Sequence, residues 1–318
     1  MKLIRTVLLV CTAMVACVAH AQYPSKPVRI VMPYAAGGTG DILIRILAQK
    51  LTQSTGNAFV VENKPGAVGK IGYQMIASAA PDGYSLVAAD GAYAMLPALN
   101  KSLAWHFDTD LIPVTIYADT PFVLVVSAAS GINTLPELIA RAKANPGKLN
   151  YGSSGTGGST HVLTEMFKQK ASISMTHVPY KGSGDAVVGL LGGSIDMMFT
   201  SVPTAMAQIK AGKFKALAVT GKTRVSALPS VPTAIETGLD FDSSNWYGIL
   251  APHGTPSSVI EYLQQKIAGA LQTAEVREAF AAQGAEPIIM TTSEFDRILR
   301  GDVERWRSII RTAGITIE

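Results

Sequence analysis

Short apolar runs alternate with amphipathic stretches through the first two thirds of the chain. Runs rich in apolar and β-branched residues predict strands at Val28–Met32, Phe59–Glu62, Tyr84–Ala88, Phe122–Ser127, Ile173–His177, Asp196–Phe199 and Ala216–Val219. Between them, helical spacing of the apolar residues predicts helices at Asp41–Gln53, Gly69–Ala79, Leu135–Ala144, Thr160–Lys168 and Gly184–Leu191. Alternation of this kind predicts an α/β fold with mostly parallel sheets.

The last third of the chain is predominantly helical. Apolar residues recur every fourth position between Pro256 and Leu271, and two more helices are predicted near Ala274–Gln283 and Ser293–Ala313. A chain of 318 residues is longer than one hydrophobic core usually serves. We therefore predict two lobes, the first built from residues 22–125 and 226–318 and the second from residues 126–225, so that the chain crosses between them twice.

The N-terminus has the pattern of an export signal. Lys2 and Arg5 precede an apolar stretch at 6–18 that is too short to span a bilayer, and an A-x-A site ends at Ala21. We predict a signal peptide over residues 1–21, cleaved after Ala21, and a periplasmic protein. A lipidated Cys17 is the less favoured alternative, because Met14 stands where leucine is usual.

Composition excludes several kinds of function. Cys11 and Cys17 both lie in the leader, so the mature chain has no cysteine for disulfides or thiol catalysis. A formal net charge of +4 without any basic run is too weak for a nucleic-acid surface. The five histidines form no HxxxH or HExxH pair, and we expect no metal and no cofactor.

Two glycine-rich turns carry the candidate chemistry. The first, Pro33–Asp41, follows the first predicted strand, and the second, Gly152–His161, precedes the predicted helix in the middle of the chain. A helix that begins in such a turn presents unpaired N–H groups and the positive end of its dipole. Two such turns that face each other would hold a carboxylate. Glycine also occurs in tight turns that bind no ligand, so a purely structural role is the alternative. Hydroxyl groups crowd the second turn, at Ser153, Ser154, Thr156, Ser159 and Thr160.

Other motifs are incomplete. Gly221-Lys222-Thr223 lacks the first glycine of a phosphate-binding loop, since Ala216 stands there. Gly152-Ser153-Ser154-Gly155 resembles a hydrolase nucleophile elbow, but Thr156 replaces the closing glycine. An exported hydrolase using Ser154 and His161 therefore remains only an alternative. The Asp41 carboxylate either interacts favourably with the dipole of its own helix or contacts an amine or hydroxyl group of the ligand.

An ordered series of motifs resembles the Bug-type solute receptors, the extracytoplasmic binding proteins of tripartite tricarboxylate transporters. The likeness begins with Tyr23-Pro24, Lys26-Pro27-Val28-Arg29 and Pro33-Tyr34-x-x-Gly37-Gly38-x-x-Asp41. It continues through Glu62–Ala67, Pro81–Tyr84, Asn150–His161, Val178–Gly182, Leu191–Phe199, Ala216–Thr220, Trp246–Gly248 and Ala251–Pro256. These motifs extend over essentially the whole mature chain in the family order.

The resemblance implies a type II-like periplasmic binding protein, with the ligand in a cleft between two hinged lobes. By the family pattern, the first lobe would contact the ligand through Tyr34, Ala36, Gly38, Asp41, Gly91, Ala92 and Tyr93. The second lobe would contribute Ser154, Thr156, Gly157, His161, Thr200 and Ser201. Gly40 stands where the family often has a larger polar residue, which should leave room beside Asp41 or remove a hydroxyl contact. The ring of Tyr93 either stacks on a flat ligand or is simply part of the cleft wall.

The implied function is capture of a small organic carboxylate by hinge closure and its delivery to the membrane subunits of a transporter. We expect a monomer that is not an enzyme and does not bind nucleic acid. Neutral backbone donors and hydroxyls, rather than an arginine clamp, should hold the carboxylate. A sensory receptor that presents the bound carboxylate to a membrane signalling protein is the other alternative.

Overall fold

The computed structural model describes residues 23–100 and 102–313, so the predicted signal peptide and its cleavage site lie outside the described residues. The strands are β1 (Val28–Met32), β2 (Phe59–Asn63), β3 (Ser85–Asp90), β4 (Leu111–Ser127), β5 (Asn150–Ser153), β6 (Thr176–Pro179), β7 (Met197–Ser201), β8 (Phe214–Val219), β9 (Ser244–Pro252) and β10 (Glu286–Pro287). The helices are α1 (Thr39–Thr55), α2 (Lys70–Ala77), α3 (Leu96–Leu99), α4 (Leu135–Ala144), α5 (Ser159–Ala171), α6 (Ser183–Leu191), α7 (Val202–Lys210), α8 (Ser257–Gln272), α9 (Ala274–Ala282) and α10 (Thr292–Ala313).

Local signals account for most of these elements. Helix α4 has the predicted bounds because Thr134 caps it: its hydroxyl accepts from the Glu137 N–H at 3.3 Å. The Glu137 carboxylate reaches back to the Asn133 N–H at 2.7 Å, a variant of the capping box. Strand β9 was not predicted, and β4 begins at Leu111 instead of at Phe122.

Both sheets are mixed, so the expectation of mostly parallel sheets is wrong. In the first sheet β1 pairs with β2 and β3 in parallel, while β9 lies antiparallel between β3 and β4. In the second sheet β5 pairs in parallel with β6 and β7, and β4 is antiparallel to β7 and β8. Strand β4 belongs to both sheets and connects the two lobes.

The lobe boundaries differ from the predicted ones. Pro121 is the last β4 residue paired with β9, at Ser244, and Phe122 is the first paired with β7. The chain therefore crosses between the lobes at 121–122 and at 243–244, not near 126 and 225. The second prediction failed because the irregular segment after β8 buries Leu228, Val231 and Phe241 in the second lobe.

The C-terminal helices pack on the first lobe. Helix α10 buries Phe295, Leu299, Val303, Trp306 and Ile310 against the first sheet and the segment after β3. Val162, from α5 of the second lobe, joins the same apolar cluster, so the two lobes are in contact. Within the described residues, no helix is both long enough and apolar enough to cross a membrane.

Candidate functional site

The two lobes meet at the ends of their parallel strands. The glycine turns and the segments after β3 and β7 all follow the carboxyl ends of strands, the usual place for ligands in α/β folds. Thr39, at the start of α1, shares a hydrogen bond with the hydroxyl of Ser201, at the start of α7. Thr204 lies 3.0 Å from the Ser201 hydroxyl and 3.4 Å from that of Thr39. The lobes are therefore closed on each other at this point.

Asp41 holds the first glycine turn in place. Its carboxylate accepts hydrogen bonds from the Gly37 N–H at 3.0 Å, Arg45 Nε at 3.0 Å and Asn63 Nδ2 at 2.9 Å. Burial opposes ionisation, but these donors outweigh it and lower the pKa of Asp41 below its ordinary value. Of the two roles left open for Asp41, the structure therefore shows a local one, since the carboxylate is occupied by its own turn and helix.

The first turn leads into helix α1 without a side-chain cap. Gly38 is the N-cap residue and has extended backbone geometry, and Gly37 adopts the left-handed conformation that glycine allows. A Cβ built on Gly40 would lie 3.1 Å from Met32 Cε and 3.3 Å from Tyr247 Cε1. The expectation that Gly40 leaves room is wrong, because Met32 and Tyr247 fill that space.

The second turn is braced by its own hydroxyl and imidazole groups. Thr160 Oγ1 accepts from the Ser154 N–H at 2.9 Å and lies 3.0 Å from Ser154 Oγ. His161 Nδ1 accepts from the Gly157 N–H at 3.0 Å, so the proton of the neutral ring is on Nε2. Gly158 is the N-cap of α5, and no side chain caps this helix either. Both glycine turns thus present an uncapped helix N-terminus.

A second histidine, which sequence reasoning missed, lies directly behind this turn. His177, on β6, stacks on His161 with ring centroids 4.0 Å apart, and its Nε2 lies 2.6 Å from Ser153 Oγ. Burial, with a smaller effect of His161, lowers the pKa of His177 to about 4, and burial also lowers the pKa of His161. The turn therefore rests on two neutral imidazoles. The only available signal was the register of β5 and β6, which the sequence does not specify.

The serine–histidine contacts do not form an exposed nucleophile. Ser154 is hydrogen-bonded to Thr160, and His161 Nδ1 is occupied by the turn backbone. Ser153 does contact a histidine, but its side chain is fully buried. A hydrolase needs a nucleophile that a substrate can reach.

The segment after β3 contributes backbone groups to the site rather than an aromatic surface. Gly91 N–H donates to Asn245 Oδ1 at 3.1 Å, and a Cβ on Gly91 would lie 2.7 Å from that oxygen. The ring of Tyr93 is 1% exposed and packs between Tyr73 and Phe107, at centroid distances of 4.7 and 4.5 Å. Of the two interpretations of Tyr93, stacking on a ligand is therefore wrong for this conformation, and the ring is core. Ala92, the other predicted residue there, is also buried.

Polar side chains line the floor between the lobes. Thr200 and Ser201 end β7 and are buried, and the hydroxyls of Thr120 and Thr200 have no hydrogen-bond partner among the described residues. Unpartnered buried hydroxyls are costly, so a polar group bound beside them would be stabilised. At the outer edge, Ala36 and Thr156 are exposed, where either could reach a ligand.

Tyr34 points to a carboxyl group that was not predicted as part of the site. Its hydroxyl donates to Asp90 Oδ1 at 2.9 Å, across from the first turn. Asp90 is the last residue of β3 and pairs in register with Tyr247. Burial raises the pKa of Asp90 to about 6, although hydrogen bonds partly offset this. A polar residue at the end of an apolar strand, just before a predicted ligand loop, was the signal for Asp90.

A cavity of about 260 Å³ lies beside the connecting strands, between α10 and α5. It shares Gly91 and Ser159 with the predicted ligand loops. Its walls also include Asp119 and Asp302, and Trp246 Nε1 donates to Asp302 Oδ2 at 2.8 Å. Burial, with smaller contributions from nearby carboxylates, raises the pKa of Asp119 to about 6. The interlobe space thus continues past the glycine turns toward the hinge.

Fold and site together define a two-lobed solute-binding protein. Residues 43–315 match the tripartite tricarboxylate transporter family receptor. Protein BugT of Bordetella pertussis (strain Tohama I) is 36% identical over 299 residues, covering 93% of this chain and 92% of that protein. The chain therefore belongs to the receptor family of tripartite tricarboxylate transporters, and the Bug-type resemblance is confirmed.

Solved structures share the whole architecture. A protein of R. palustris solved with adipate has a TM-score of 0.89 at 29% identity, covering 92% of this chain and 99% of that chain. MatC from Rhodopseudomonas palustris, with bound malate, has a TM-score of 0.83 at 27% identity, covering 91% and 100%. The predicted binding-protein fold is confirmed, and these two proteins were solved with adipate and with malate.

Proposed function

We propose that this chain captures a small organic carboxylate in the periplasm by closing its two lobes and delivers it to the membrane subunits of a tripartite transporter. The observation that carries the proposal is the pair of uncapped helix N-termini, at Gly38 and Gly158, on the interlobe edge. Such termini bind anions through backbone N–H groups and the helix dipole. Relatives solved with adipate and malate support the ligand class.

The proposed site consists of the residues expected from the family pattern. They are Tyr34, Ala36, Gly38, Asp41, Gly91, Ser154, Thr156, Gly157, His161, Thr200 and Ser201, while Ala92 and the ring of Tyr93 pack in the core behind the loop of Gly91. They act in different ways: Gly38 and Thr200 offer donors, whereas Asp41 and His161 hold the two turns through hydrogen bonds to Gly37 and Gly157. Neutral donors dominate at the first turn, because Arg45 beside it is engaged with Asp41 and Asn63.

Binding follows from closure of the hinge. An anion that enters the open cleft gains its second set of donors only when the lobes close, so the ligand favours the closed state by its extra contacts there. The exposed Thr156 lies at the mouth, and the hydroxyls of Thr120 and Thr200 lie buried within. The protein acts as a monomeric receptor and not as an enzyme.

A thermal-shift screen of refolded mature protein tests the ligand class. Refolding removes any ligand retained from the cell, and the panel contains mono-, di- and tricarboxylates. A ligand at about 100 times its dissociation constant adds about 2.7 kcal/mol and raises the melting temperature by several degrees. A selective shift supports the receptor, while well-folded protein that responds to no carboxylate contradicts it.

The hydroxyls of the second turn provide a sharper test with any carboxylate found in that screen. Ser154→Ala combined with Thr156→Ala should weaken binding by about 1–3 kcal/mol, the range for lost hydrogen bonds to a charged group. Calorimetry measures the change. Ser102→Ala, at an exposed position of the first lobe, is the control and should bind as the parent does. Unchanged affinity in the double variant would remove these hydroxyls from the site.

A further inference from the structure

The first lobe has two carboxyl groups beside the proposed ligand loops, Asp41 and Asp90, and they differ in burial. Asp41 receives three donors, from Gly37, Arg45 and Asn63. The carboxyl of Asp90 accepts from the Tyr34 hydroxyl at 2.9 Å, and the Asn245 side chain and the Ala92 N–H also stabilise its ionised form. Asp41 is 4% exposed, whereas Asp90 is partly exposed. Asp90 is therefore the carboxyl of this pair that a ligand can reach.

The position of Asp90 places it beside the proposed ligand. Strands β1 and β3 are parallel neighbours, so the first glycine turn and Asp90 follow the same edge of the sheet. Tyr34, in that turn, touches Asp90 directly, and Gly91, the next residue, lies in the proposed ligand loop and in the wall of the interlobe cavity. A carboxylate held at the N-terminus of α1 would therefore bring its neighbouring carbon atoms toward Asp90.

The groups that face Asp90 carry no charge. They are the phenols of Tyr34 on the first turn, Tyr73 on α2, Tyr117 on β4 and Tyr247 on β9, and burial raises the pKa of all four. The side chain of Asn245 on β9 also lies beside it. The Tyr73 hydroxyl has no hydrogen-bond partner among the described residues. No cation compensates Asp90 within this group, which is consistent with its pKa of about 6.

We propose that Asp90 is a specificity-determining residue of the cleft: its carboxylate accepts a hydrogen bond from an ammonium or hydroxyl group next to the carboxylate of the ligand. The receptor then takes amino or hydroxy acids in preference to the plain dicarboxylate of the same length. This inference rests on the proposed function. An ammonium group supplies the missing positive charge, and a hydroxyl supplies a donor, whereas a second ligand carboxylate at that point is repelled.

Calorimetry with a four-carbon series tests the inference. Succinate carries no donor, malate carries a hydroxyl and aspartate carries an ammonium group on the same skeleton; adipate and 2-aminoadipate repeat the comparison at greater length. At pH 7.5 the parent protein should prefer the donor-bearing member of each set. Asp90→Asn should reduce that preference about tenfold or more, through weaker binding of aspartate and unchanged or tighter binding of succinate.

Asp82→Asn is the matched control. Asp82 precedes the same strand β3 at its opposite end, where it is exposed and forms an ion pair with Lys26 at 3.3 Å. The control should leave the ratio of aspartate to succinate affinity unchanged. A parent protein that prefers succinate, or an Asp90→Asn variant with an unaltered ratio, overturns the inference while leaving the proposed function intact. Absence of binding by every carboxylate contradicts the proposed function itself and with it this inference.

A measurement on the unmodified protein covers the case in which the variant does not fold. Lowering the pH from 7.5 to 5 protonates Asp90, whose pKa is about 6. Succinate also takes up a proton in this range and aspartate does not, so affinities are expressed for the fully ionised ligands, and the preference for aspartate over succinate should then fall. Where Asp90→Asn folds, the ratio corrected in the same way should change little. A preference in the parent protein that is constant over this range overturns the role of Asp90.

Discussion

The imidazoles of His161 and His177 show how single residues shape the second turn without touching its open face. They stack 8° from parallel, and each forms a hydrogen bond to the turn, at Gly157 N–H and at Ser153 Oγ. Tyr151 lies beside both rings, with its centroid 4.9 Å from that of His177 and 6.4 Å from that of His161. Charging either ring would place a cation next to the other ring, so the turn depends on both staying neutral.

Replacement of His177 by glutamine should alter the acid stability of the protein. The pKa of His177 is about 4 in the folded protein and about 6.5 when unfolded, so the folded state binds fewer protons between these values. That contribution to stability is present above about pH 6.5 and is lost as the pH falls toward 4, by up to about 3 kcal/mol. His177→Gln removes it.

Thermal denaturation between pH 7 and 4 measures the effect as a difference between variant and parent. The fall in melting temperature on acidification should be smaller in His177→Gln than in the parent protein. His253→Gln, at an exposed position, should follow the parent. Identical acid dependence in parent and His177→Gln would show that the imidazole is not held neutral.

Among the elements, the helices begin where local chemistry allows, and α4 differs in its N-terminus from the helices of the site. Helix α4 in the second lobe has a side-chain cap at Thr134 and two basic residues in its last turn. Helices α1, α5 and α7 begin at Gly38, Gly158 and Ser201 with no side-chain cap hydrogen bond. Helices α8 and α9, away from the cleft, also lack a side-chain cap, so its absence alone does not mark the site. Helices α1, α5 and α7 are set apart because they begin at the interlobe edge, where a ligand can supply the missing acceptors.

Removing the cap of α4 should therefore lower the stability of the protein without changing its affinity for the ligand. Thr134→Ala deletes the acceptor for the Glu137 N–H and should lower the free energy of unfolding by about 1 kcal/mol. Urea denaturation measures this change, and the affinity for a bound carboxylate should remain that of the parent. Ser102→Ala, which removes an exposed hydroxyl of the first lobe, should have no effect on stability. An equal loss of stability in both variants would show that the Thr134 hydroxyl does not stabilise α4 as a cap.

At the scale of the whole molecule, β4 and the return segment at 243–244 are the only backbone crossings between the lobes within the described residues. Contacts away from the hinge then decide whether the lobes are open or closed. The structure has polar contacts of this kind at Thr39, Ser201 and Thr204, and apolar ones where Val162 and Met166 of α5 join the cluster that covers α10. Binding must be coupled to these contacts, since they form only on closure.

Thr39→Val should therefore shift the protein toward the open form. The variant loses the hydrogen bond to Ser201 across the cleft, and affinity for the bound carboxylate should fall by about 0.5–1.5 kcal/mol. Small-angle X-ray scattering of the unliganded variant should give a larger radius of gyration than that of the parent. Thr312→Val, on the exposed side of α10, is the control and should change neither quantity. If scattering and affinity are unaltered in Thr39→Val, the hydrogen bond between Thr39 and Ser201 does not stabilise the closed form.

Much of the fold could be predicted from local pattern. Strand β1 and helix α4 have the predicted bounds, and most other predicted elements differ by a few residues at their ends. Strand β9 escaped prediction because Gly248 interrupts a stretch that is buried on both faces and shows no alternation. The double membership of β4 could not be read from the chain, since a strand has the same local pattern whichever sheet it joins.

The sequence by itself determined the alternation of strands and helices, the two glycine turns and the family, because these depend on backbone preferences and on the order of short motifs. Only the tertiary structure decided which polar groups are occupied and which face the cleft. Asp41 is satisfied by its own turn, Tyr93 lies in the core, and Asp90 meets Tyr34 across 56 positions of the chain. Those outcomes depend on sheet register and burial, which pair residues far apart in the sequence.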